Sequence, residues 1–186
     1  RMRARCTFCL EKRAKPKPPD IADLPDFRLD ISQKPFYYTG CDLFGPFEVY
    51  SGRSKNKRTM YVVIFTCLVT RAVYFEALED MTTESFMCAL DKLWARRGPI
   101  VHIYSDNGRN FVGAAAVIEN DAFQKTLAER KINWHFNPPY TPQFGGTWER
   151  LIKDVKRGLE ASLGKFTVPR LNFEAALARI EANMNN

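Results

Sequence analysis

Short apolar segments alternate with longer amphipathic ones along most of this chain. Residues 60–69 (MYVVIFTCLV) are almost continuously apolar and rich in β-branched side chains, which is typical of a strand covered on both faces. Shorter segments of similar character are separated by turn-forming residues. The pattern predicts strands at about 37–43, 60–69, 72–78, 100–104 and 132–136.

Other segments repeat their apolar residues at helical spacing. Thr82 and Thr83 offer N-caps for a helix that Gly98-Pro99 would end. The pattern predicts helices at about 82–97, 113–130 (with a break near 120–121), 147–163 and 172–184.

The helix expected from Thr147 is the most clearly amphipathic, and the segment before it is rich in proline and glycine. The segment 137–146 is therefore predicted to be a loop, and 51–58 a polar turn with four positive charges. The core stripe of the helix would consist of Trp148, Leu151, Ile152, Val155, Leu159 and Leu163. The order of elements predicts an α/β fold, with an antiparallel meander leading into parallel crossovers.

A proline-rich segment near the N-terminus predicts the domain boundaries. Residues 15–19 (KPKPP) cannot continue a helix or a central strand and indicate a stiff linker. We expect an arm at 1–14, a linker at 15–35 and one core domain at 36–186 with a truncated last helix. A chain of 186 residues, 45% of them hydrophobic, can bury one core of that size. The start at Arg1 suggests a piece of a longer protein.

Most of the net charge of +7 belongs to the N-terminal arm, where residues 1–19 contain seven basic residues against Glu11 alone. Such an arm suits a polyanion, although a short basic run is more often a solvated tail or a localisation signal. No apolar run approaches the ~20 residues that span a bilayer, and the start lacks a signal peptide's apolar stretch. We therefore expect a soluble, intracellular protein.

The chain has five cysteines, an odd number that cannot all be paired in disulfides, which favours a reducing compartment. Cys6 and Cys9 have the spacing of one half of a zinc knuckle, which needs two further ligands. His102 and His135 are isolated and far downstream. Either the missing ligands precede Arg1, or the pair is two free thiols.

Three acidic residues carry the candidate chemistry: Asp42, Asp106 and Glu149. Each lies where a strand is expected to end or a helix to begin, and such junctions can gather distant carboxylates into one site. Clustered carboxylates bind hard divalent cations, and two such ions can clamp the attacking and leaving oxygens of a phosphodiester exchange. Metal-dependent chemistry on a nucleic-acid backbone is therefore the leading hypothesis.

Taken singly, each acid has a structural alternative. Asp42 could accept hydrogen bonds at a bend made by glycines, and Asp106 could be a turn or N-cap residue. Glu149 would lie in the first helical turn, where the macrodipole favours a negative charge without any catalytic task. It could also form an ordinary ion pair with Lys153. The ensemble, rather than any single acid, carries the prediction.

Four extended segments are distinctive in their wording and order: GCDLFGPF (40–47), FTCLVTRAV (65–73), YSDNGRNFVG (104–113) and FGGTWERLIK (144–153). Together they resemble the integrase of BEL/Pao-type LTR retrotransposons, and the resemblance runs from Cys6 to the last residue. The 42 residues between Asp106 and Glu149 exceed the usual retroviral spacing and point to the retrotransposon branch. Gln143 stands where many BEL/Pao relatives have histidine.

This resemblance implies a ribonuclease-H-like fold with a mixed five-stranded sheet flanked by helices. It implies that Asp42, Asp106 and Glu149 are catalytic ligands of two Mg²⁺ or Mn²⁺ ions. It further implies that Cys6 and Cys9 are the second half of a His-His-Cys-Cys zinc module whose histidines lie upstream. The candidate DNA contacts are Asn107, Tyr140, Gln143, Arg150, Lys153 and Lys156.

The resulting hypothesis is an integrase core that trims the 3′ ends of element DNA and joins them to target DNA in the nucleus, as a homo-oligomer. It would derive from a polyprotein. One alternative is a domesticated or inactive integrase-derived domain that binds nucleic acid or a protein without cutting. Another is a carboxylate-dependent hydrolase, such as a glycosidase, that uses two acids and no metal.

Overall fold

The computed structural model describes residues 25–51, 56–105, 121–136, 142–164 and 167–186, without the side chains of 121, 122, 142–147 and 149. A 3-10 turn, Asp26–Arg28, precedes the sheet. The strands are β1 (Tyr38–Tyr50), β2 (Lys57–Cys67), β3 (Val73–Leu78), β4 (His102–Ser105), β5 (Asn133–Phe136) and β6 (Val168–Pro169). The helices are α1 (Thr83–Arg97), α2 (Asp121–Glu129), α3 (Pro142–Leu163) and α4 (Arg170–Asn185).

The sheet has the order β3-β2-β1-β4-β5. β1, β2 and β3 pair antiparallel, while β4 pairs parallel with β1 and β5 parallel with β4. This mixed sheet confirms the predicted meander followed by parallel crossovers. The two-residue strand β6, which the sequence pattern did not predict, pairs with β1 at Val49 and Tyr50.

Alternation of side chains along the strands gives the sheet two covered faces. The α1 face packs against α1 and α2 and includes Cys41, Leu43, Val63, Phe65 and Ile103. The α3 face packs against α3 and α4 and includes Phe44, Val62, Ile64, Val73 and Phe75. Successive residues of β2 are fully buried because they alternate between these two cores, as the apolar run predicted.

β1 is longer than predicted and does not end at Leu43. The pairing with β2 shifts register between Phe44 and Phe47, and a bulge of this kind accommodates Gly45-Pro46 within the strand. Gly45 has φ +140°, and a Cβ there would lie 3.2 Å from the Met60 carbonyl oxygen, so glycine suits the position. The shift places both phenylalanines on the α3 face, with ring centroids 5.8 Å apart.

The first helix confirms its predicted capping. The Thr82 hydroxyl accepts a hydrogen bond from the Ser85 N–H at 3.3 Å, and Gly98 ends the helix with φ +95°. The turn predicted at 51–58 is wrong at its end, because Lys57 and Arg58 belong to β2 and pair with residues of β1, while 52–55 lie outside the described residues.

The start of α3 corrects the sequence prediction. The loop expected at 137–146 and the helix start expected near Thr147 are wrong at their shared end, since the helix begins at Pro142. Proline fits the first turn of a helix because its missing N–H has no intrahelical partner there. The predicted core stripe is largely confirmed: Trp148, Ile152, Val155 and Leu159 are buried, and Leu151 and Leu163 are half-buried.

The segment before β1 also contacts the sheet. Phe27 stacks on Tyr104 of β4 with ring centroids 4.6 Å apart, and Phe36 is buried in the core. None of the helices that the structure describes is both long enough and apolar enough to cross a membrane.

Candidate active site

Asp42 lies on the α3 face in the middle of β1, between two core residues of the α1 face, Cys41 and Leu43. Its side chain is half-buried, and one carboxylate oxygen accepts a hydrogen bond from the Leu43 N–H at 2.7 Å. Gly40, two residues earlier, lies in regular strand pairing rather than at a bend. Period-two alternation therefore directs this carboxylate to the α3 face, while Gly45, the other glycine of the expected bend, lies three residues further along at the bulge.

The parallel pairing of β1 and β4 ends at Cys41 and Ser105. These paired residues immediately precede Asp42 on one strand and Asp106 on the other. Ser105 is fully buried, and its hydroxyl accepts a hydrogen bond from the indole N–H of Trp134 in β5 at 3.0 Å. Asp106 itself lies outside the described residues.

A close contact fixes α3 on β1 beside Asp42. Trp148 is almost fully buried, and a Cβ on Gly40 would lie only 2.7 Å from its ring. Glycine at position 40 therefore lets the helix approach the strand. Glu149 follows Trp148 directly, although its side chain lies outside the described set.

The true start of α3 changes the reading of Glu149. It is the eighth residue of the helix rather than a member of the first turn. The favourable effect of a helix N-terminus on a negative charge falls off within that first turn. The macrodipole alternative for this residue consequently loses its basis.

A groove of about 380 Å³ opens beside Asp42. Its walls include Phe44 and Tyr61 from the sheet and Ile152 and Lys156 from α3. The Lys156 ammonium lies 6.0 Å from the centre of the Phe44 ring, and its side chain is exposed. The groove therefore brings one carboxylate and one exposed cation to the same opening.

The other candidate residues either lie elsewhere on α3 or lie outside the described residues. Arg150 and Lys153 are exposed on α3, and Gln143 lies in its first turn. Asn107, Tyr140, Cys6 and Cys9 lie outside the described residues. Within the part of the chain that is described, no three His, Cys, Asp or Glu side chains form a metal-binding group. Asp42 is the one predicted carboxylate ligand whose side chain the structure describes.

Sequence reasoning missed a group of stacked rings on the α3 face of β4 and β5. This ring cluster consists of Phe27, Tyr38, His102, Tyr104 and His135. Around it, ring centroids lie 4.6 Å (Phe27–Tyr104), 4.7 Å (Tyr104–His135), 5.2 Å (His135–His102), 5.1 Å (His102–Tyr38) and 5.8 Å (Tyr38–Phe27) apart.

The two histidines, which seemed isolated in the sequence, meet in the cluster: His102 Nδ1 lies 3.0 Å from His135 Nε2. Burial, and then the neighbouring His135, lowers the pKa of His102. Burial, and then the neighbouring Tyr38, raises the pKa of Tyr104. The alternation His102-Ile-Tyr104 was the available signal, but the register of β4 against β5 was needed to join the two histidines.

Comparisons with solved structures show the same fold. A chain of the simian T-cell lymphotropic virus intasome, in complex with PP2A regulatory subunit B56 gamma, is 17% identical with a TM-score of 0.59, over 80% of this chain and 48% of that one. The present chain thus spans about half the length of that viral chain. The HTLV-2 integrase catalytic core domain in complex with magnesium is 19% identical with a TM-score of 0.56, over 80% of this chain and 85% of that one.

The BIV integrase catalytic core domain is also 19% identical, with a TM-score of 0.55, over 80% of this chain and 82% of that one. The mixed sheet flanked by helices is thus the ribonuclease-H-like fold of retroviral integrase cores. The family model for the integrase core domain matches residues 33–142, which include Asp42 and Asp106 and make up more than half of the chain. This chain therefore belongs to the integrase core domain family.

Proposed function

We propose that this protein is a DDE integrase core, a metal-dependent polynucleotidyl transferase that processes and joins DNA ends. The observation that carries the proposal is the pairing of Cys41 with Ser105, because one acid follows each of these residues. The family to which the chain belongs consists of polynucleotidyl transferases. Asp42, Asp106 and Glu149 are the proposed catalytic carboxylates.

Covalent geometry limits how far apart the first two carboxylates can be. Consecutive Cα atoms are about 3.8 Å apart, and neighbouring strands about 4.8 Å. The Cα atoms of Asp42 and Asp106 are therefore within about 12 Å of each other. Carboxylate side chains from both positions could converge on one site at the end of β4.

Glu149 would complete the site from α3. Trp148 packs on Gly40, and Ile152 shares a groove with Asp42, so Glu149 belongs to the stretch of helix that passes this carboxylate. Oxygen ligands of this kind fit Mg²⁺ or Mn²⁺. Two such ions, when bound, would stabilise the attacking and leaving oxygens of a phosphodiester exchange.

Basic residues of α3, among them Lys156 in the wall of the groove, would bind the DNA. Lys153 and Lys156 are exposed and lie three residues apart on α3, so their ammonium groups can bind successive phosphates. Arg150 would add a further contact on the same helix, and Asn107, Tyr140 and Gln143 are further proposed contacts. Water is the nucleophile in 3′-end processing, and the new 3′-hydroxyl is the nucleophile in strand transfer. Neither step needs a covalent intermediate with the protein.

We further propose that the protein comes from a BEL/Pao-type retrotransposon, as the four sequence segments and the 42-residue spacing suggest. Its site of action would be the nucleus, and its source a polyprotein. Cys6 and Cys9 would complete a zinc module with upstream histidines. A homo-oligomer is proposed because the HTLV-2 relative is described as dimeric in one structure and trimeric in another.

The test compares acidic substitutions on the same purified protein, with labelled duplex DNA ends and Mg²⁺ or Mn²⁺. Asp42→Asn and Asp106→Asn should each lower 3′ processing and strand transfer by about 100-fold or more, as expected when charge stabilisation at a reacting centre is lost. Glu48→Gln is the matched control, because Glu48 lies on β1 but is exposed and paired with Lys57 at 2.7 Å.

Full strand transfer by either aspartate variant would refute the mechanism. DNA binding without metal-dependent cutting by the wild-type protein would instead support the domesticated form. Release of sugars from a glycoside would support the hydrolase alternative.

A further inference from the structure

The hydrogen bond between His102 and His135 can form in only some protonation states of the two rings. Their facing nitrogens are 3.0 Å apart, so one must carry a hydrogen and the other must offer a lone pair. A pair with no charge or with one charge satisfies this requirement. Once both rings are imidazolium, two N–H groups face each other and the hydrogen bond is lost.

This contact joins two short parallel strands, β4 and β5. β4 and β5 contain four residues each, so few backbone hydrogen bonds hold them together. On the α1 face, Trp134 binds Ser105, the last residue of β4. On the α3 face, His135 binds His102 and stacks on Tyr104. Side chains of β5 thus hold β4 from both faces just before Asp106.

We propose that His102 and His135 are a positioning pair, which holds the carboxyl end of β4 and hence Asp106, and that this hold is released in acid. The inference rests on the proposed function for its effect on catalysis. Neither histidine needs to touch DNA or metal. Their contribution is to fix the strand from which the catalytic carboxylate follows.

The surroundings of the pair favour loss of the second proton. His102 is packed between Tyr37 and Tyr38 on one side and His135 on the other, and His135 stacks on Tyr104. The pKa values of Tyr38 and Tyr104 are raised, chiefly by burial, so these two hydroxyls stay neutral between pH 5 and 8. In the described part of the chain, Asp30 is the carboxylate bonded to the ring cluster, and it reaches the pair through the Tyr38 hydroxyl at 3.4 Å.

Since burial and His135 lower the pKa of His102, the doubly charged pair should form only below the ordinary histidine range. The contact is therefore intact at neutral pH and opens only where the second proton binds, below the ordinary histidine value of about 6.5.

Imidazole NMR can observe this directly, because the chain has only two histidines. Nitrogen-15 spectra of the full chain recorded from pH 8 to pH 5 should show two coupled titrations, with the second proton binding below the ordinary range. In His135→Gln, the signal of His102 should follow a single titration shifted toward higher pH. Two independent titrations in the ordinary range, with the His102 titration unchanged by His135→Gln, would refute the proposal that the two histidines form a coupled pair. This readout does not depend on enzymatic activity.

Activity then tests the positioning role. His135→Ala should lower the turnover number for strand transfer by about 10-fold or more at pH 7.5, with a smaller effect on the KM for DNA, because misplacing a catalytic group by ~1 Å can cost about 100-fold. His135→Gln, whose amide can still bond to His102, should recover most of that loss. It should also be less inhibited than the wild type at pH 5.5. Asn133→Ala, an exposed residue on the same strand, is the control.

The outcomes separate the two proposals. Equal losses for His135→Ala and His135→Gln, or identical pH profiles for wild type and His135→Gln, would overturn the positioning role while leaving the catalytic carboxylates in place. Coupled titrations together with an active Asp42→Asn would refute the proposed function but keep the acid-sensitive contact.

Discussion

The two faces of the sheet differ in how far their cover extends. On the α1 face, apolar packing reaches β5, where Trp134 meets Phe123 of α2 with ring centroids 5.6 Å apart. On the α3 face, α3 and α4 pack over the first three strands, while the ring cluster lies over β4 and β5. Asp42 lies between these two kinds of cover. A carboxylate can remain half-exposed at that boundary, whereas the α1 face would bury it.

Gly40→Val should have the largest effect, because it acts where α3 reaches the strand. The new side chain would collide with the Trp148 ring, which already leaves only 2.7 Å for a Cβ. We expect a loss of about 1–3 kcal/mol in the free energy of unfolding, typical of overpacking. Strand transfer should fall by up to about 100-fold, since the helix that carries Glu149 is displaced.

Cys41→Ala is the matched change on the opposite face, one residue along the same strand. It removes one buried atom, and we expect about 1 kcal/mol of destabilisation with nearly normal activity for each folded molecule. Urea unfolding and strand-transfer assays measure both quantities. Similar activity losses in the two variants would contradict the functional difference between the faces.

Residue patterns predicted the α1 face better than the α3 face, for a physical reason. Phe65 and Leu90 are buried by local alternation and helical periodicity, which a sequence displays directly. The contact between His102 and His135 depends on the parallel register of two strands that are 33 residues apart in the chain. The start of α3 was missed because Pro142, Gly145 and Gly146 usually indicate a loop, and the bulge in β1 was missed for the same reason at Gly45-Pro46.

Glu76→Ala tests a carboxylate that is buried on the α1 face. The carboxylate, only 10% exposed, accepts hydrogen bonds from Lys92 at 2.8 Å, from Arg96 at 3.2 Å and from the Tyr74 hydroxyl. Burial, followed by the bond to Glu76, raises the pKa of Tyr74. We expect a loss of about 2 kcal/mol, below the usual cost of breaking a buried pair, because the freed cations are 52% and 61% exposed and can be solvated.

Urea unfolding measures this loss, and Lys92→Ala is the control. That change keeps Arg96 on the carboxylate and should cost less than about 1 kcal/mol. Strand transfer should persist in both variants, because the network lies on the face opposite Asp42. A large loss of activity in folded Glu76→Ala would mean that the two faces are coupled.

Asn185→Ala tests how α4 covers the outer edge of the sheet on the α3 face. The Asn185 amide accepts a hydrogen bond from the Val73 N–H at 2.7 Å and donates one to the Val73 carbonyl at 2.8 Å, as a neighbouring strand would. Losing both should cost about 1–2 kcal/mol. Hydrogen exchange at the Val73 amide should accelerate correspondingly. Asn186→Ala, the next residue and an exposed one, should change neither quantity.

Lowering the pH should produce the smallest changes in the free energy of unfolding. These changes should occur in a different pH range for each face of the sheet. Asp80, just before α1, accepts hydrogen bonds from Ser85 and Thr82, which lower the pKa of its carboxyl group. A carboxylate with a lowered pKa stabilises the fold above its unfolded value of about 3.9, and that contribution is lost as the pH falls below it.

His102 on the α3 face also has a lowered pKa, but its unfolded value is about 6.5. Between that pH and the lower folded pKa, the unfolded chain binds more protons than the folded chain. The contribution of His102 to the free energy of unfolding is therefore complete above pH 6.5 and declines as the pH falls. The difference in unfolding free energy between wild type and His102→Gln should therefore change between pH 7 and 5, and that for Asp80→Asn only below about pH 4.5. If both differences changed in the same window, the acid response would not distinguish the ring cluster from the capped helix. Two separate windows would tie the near-neutral response to the face that carries Asp42.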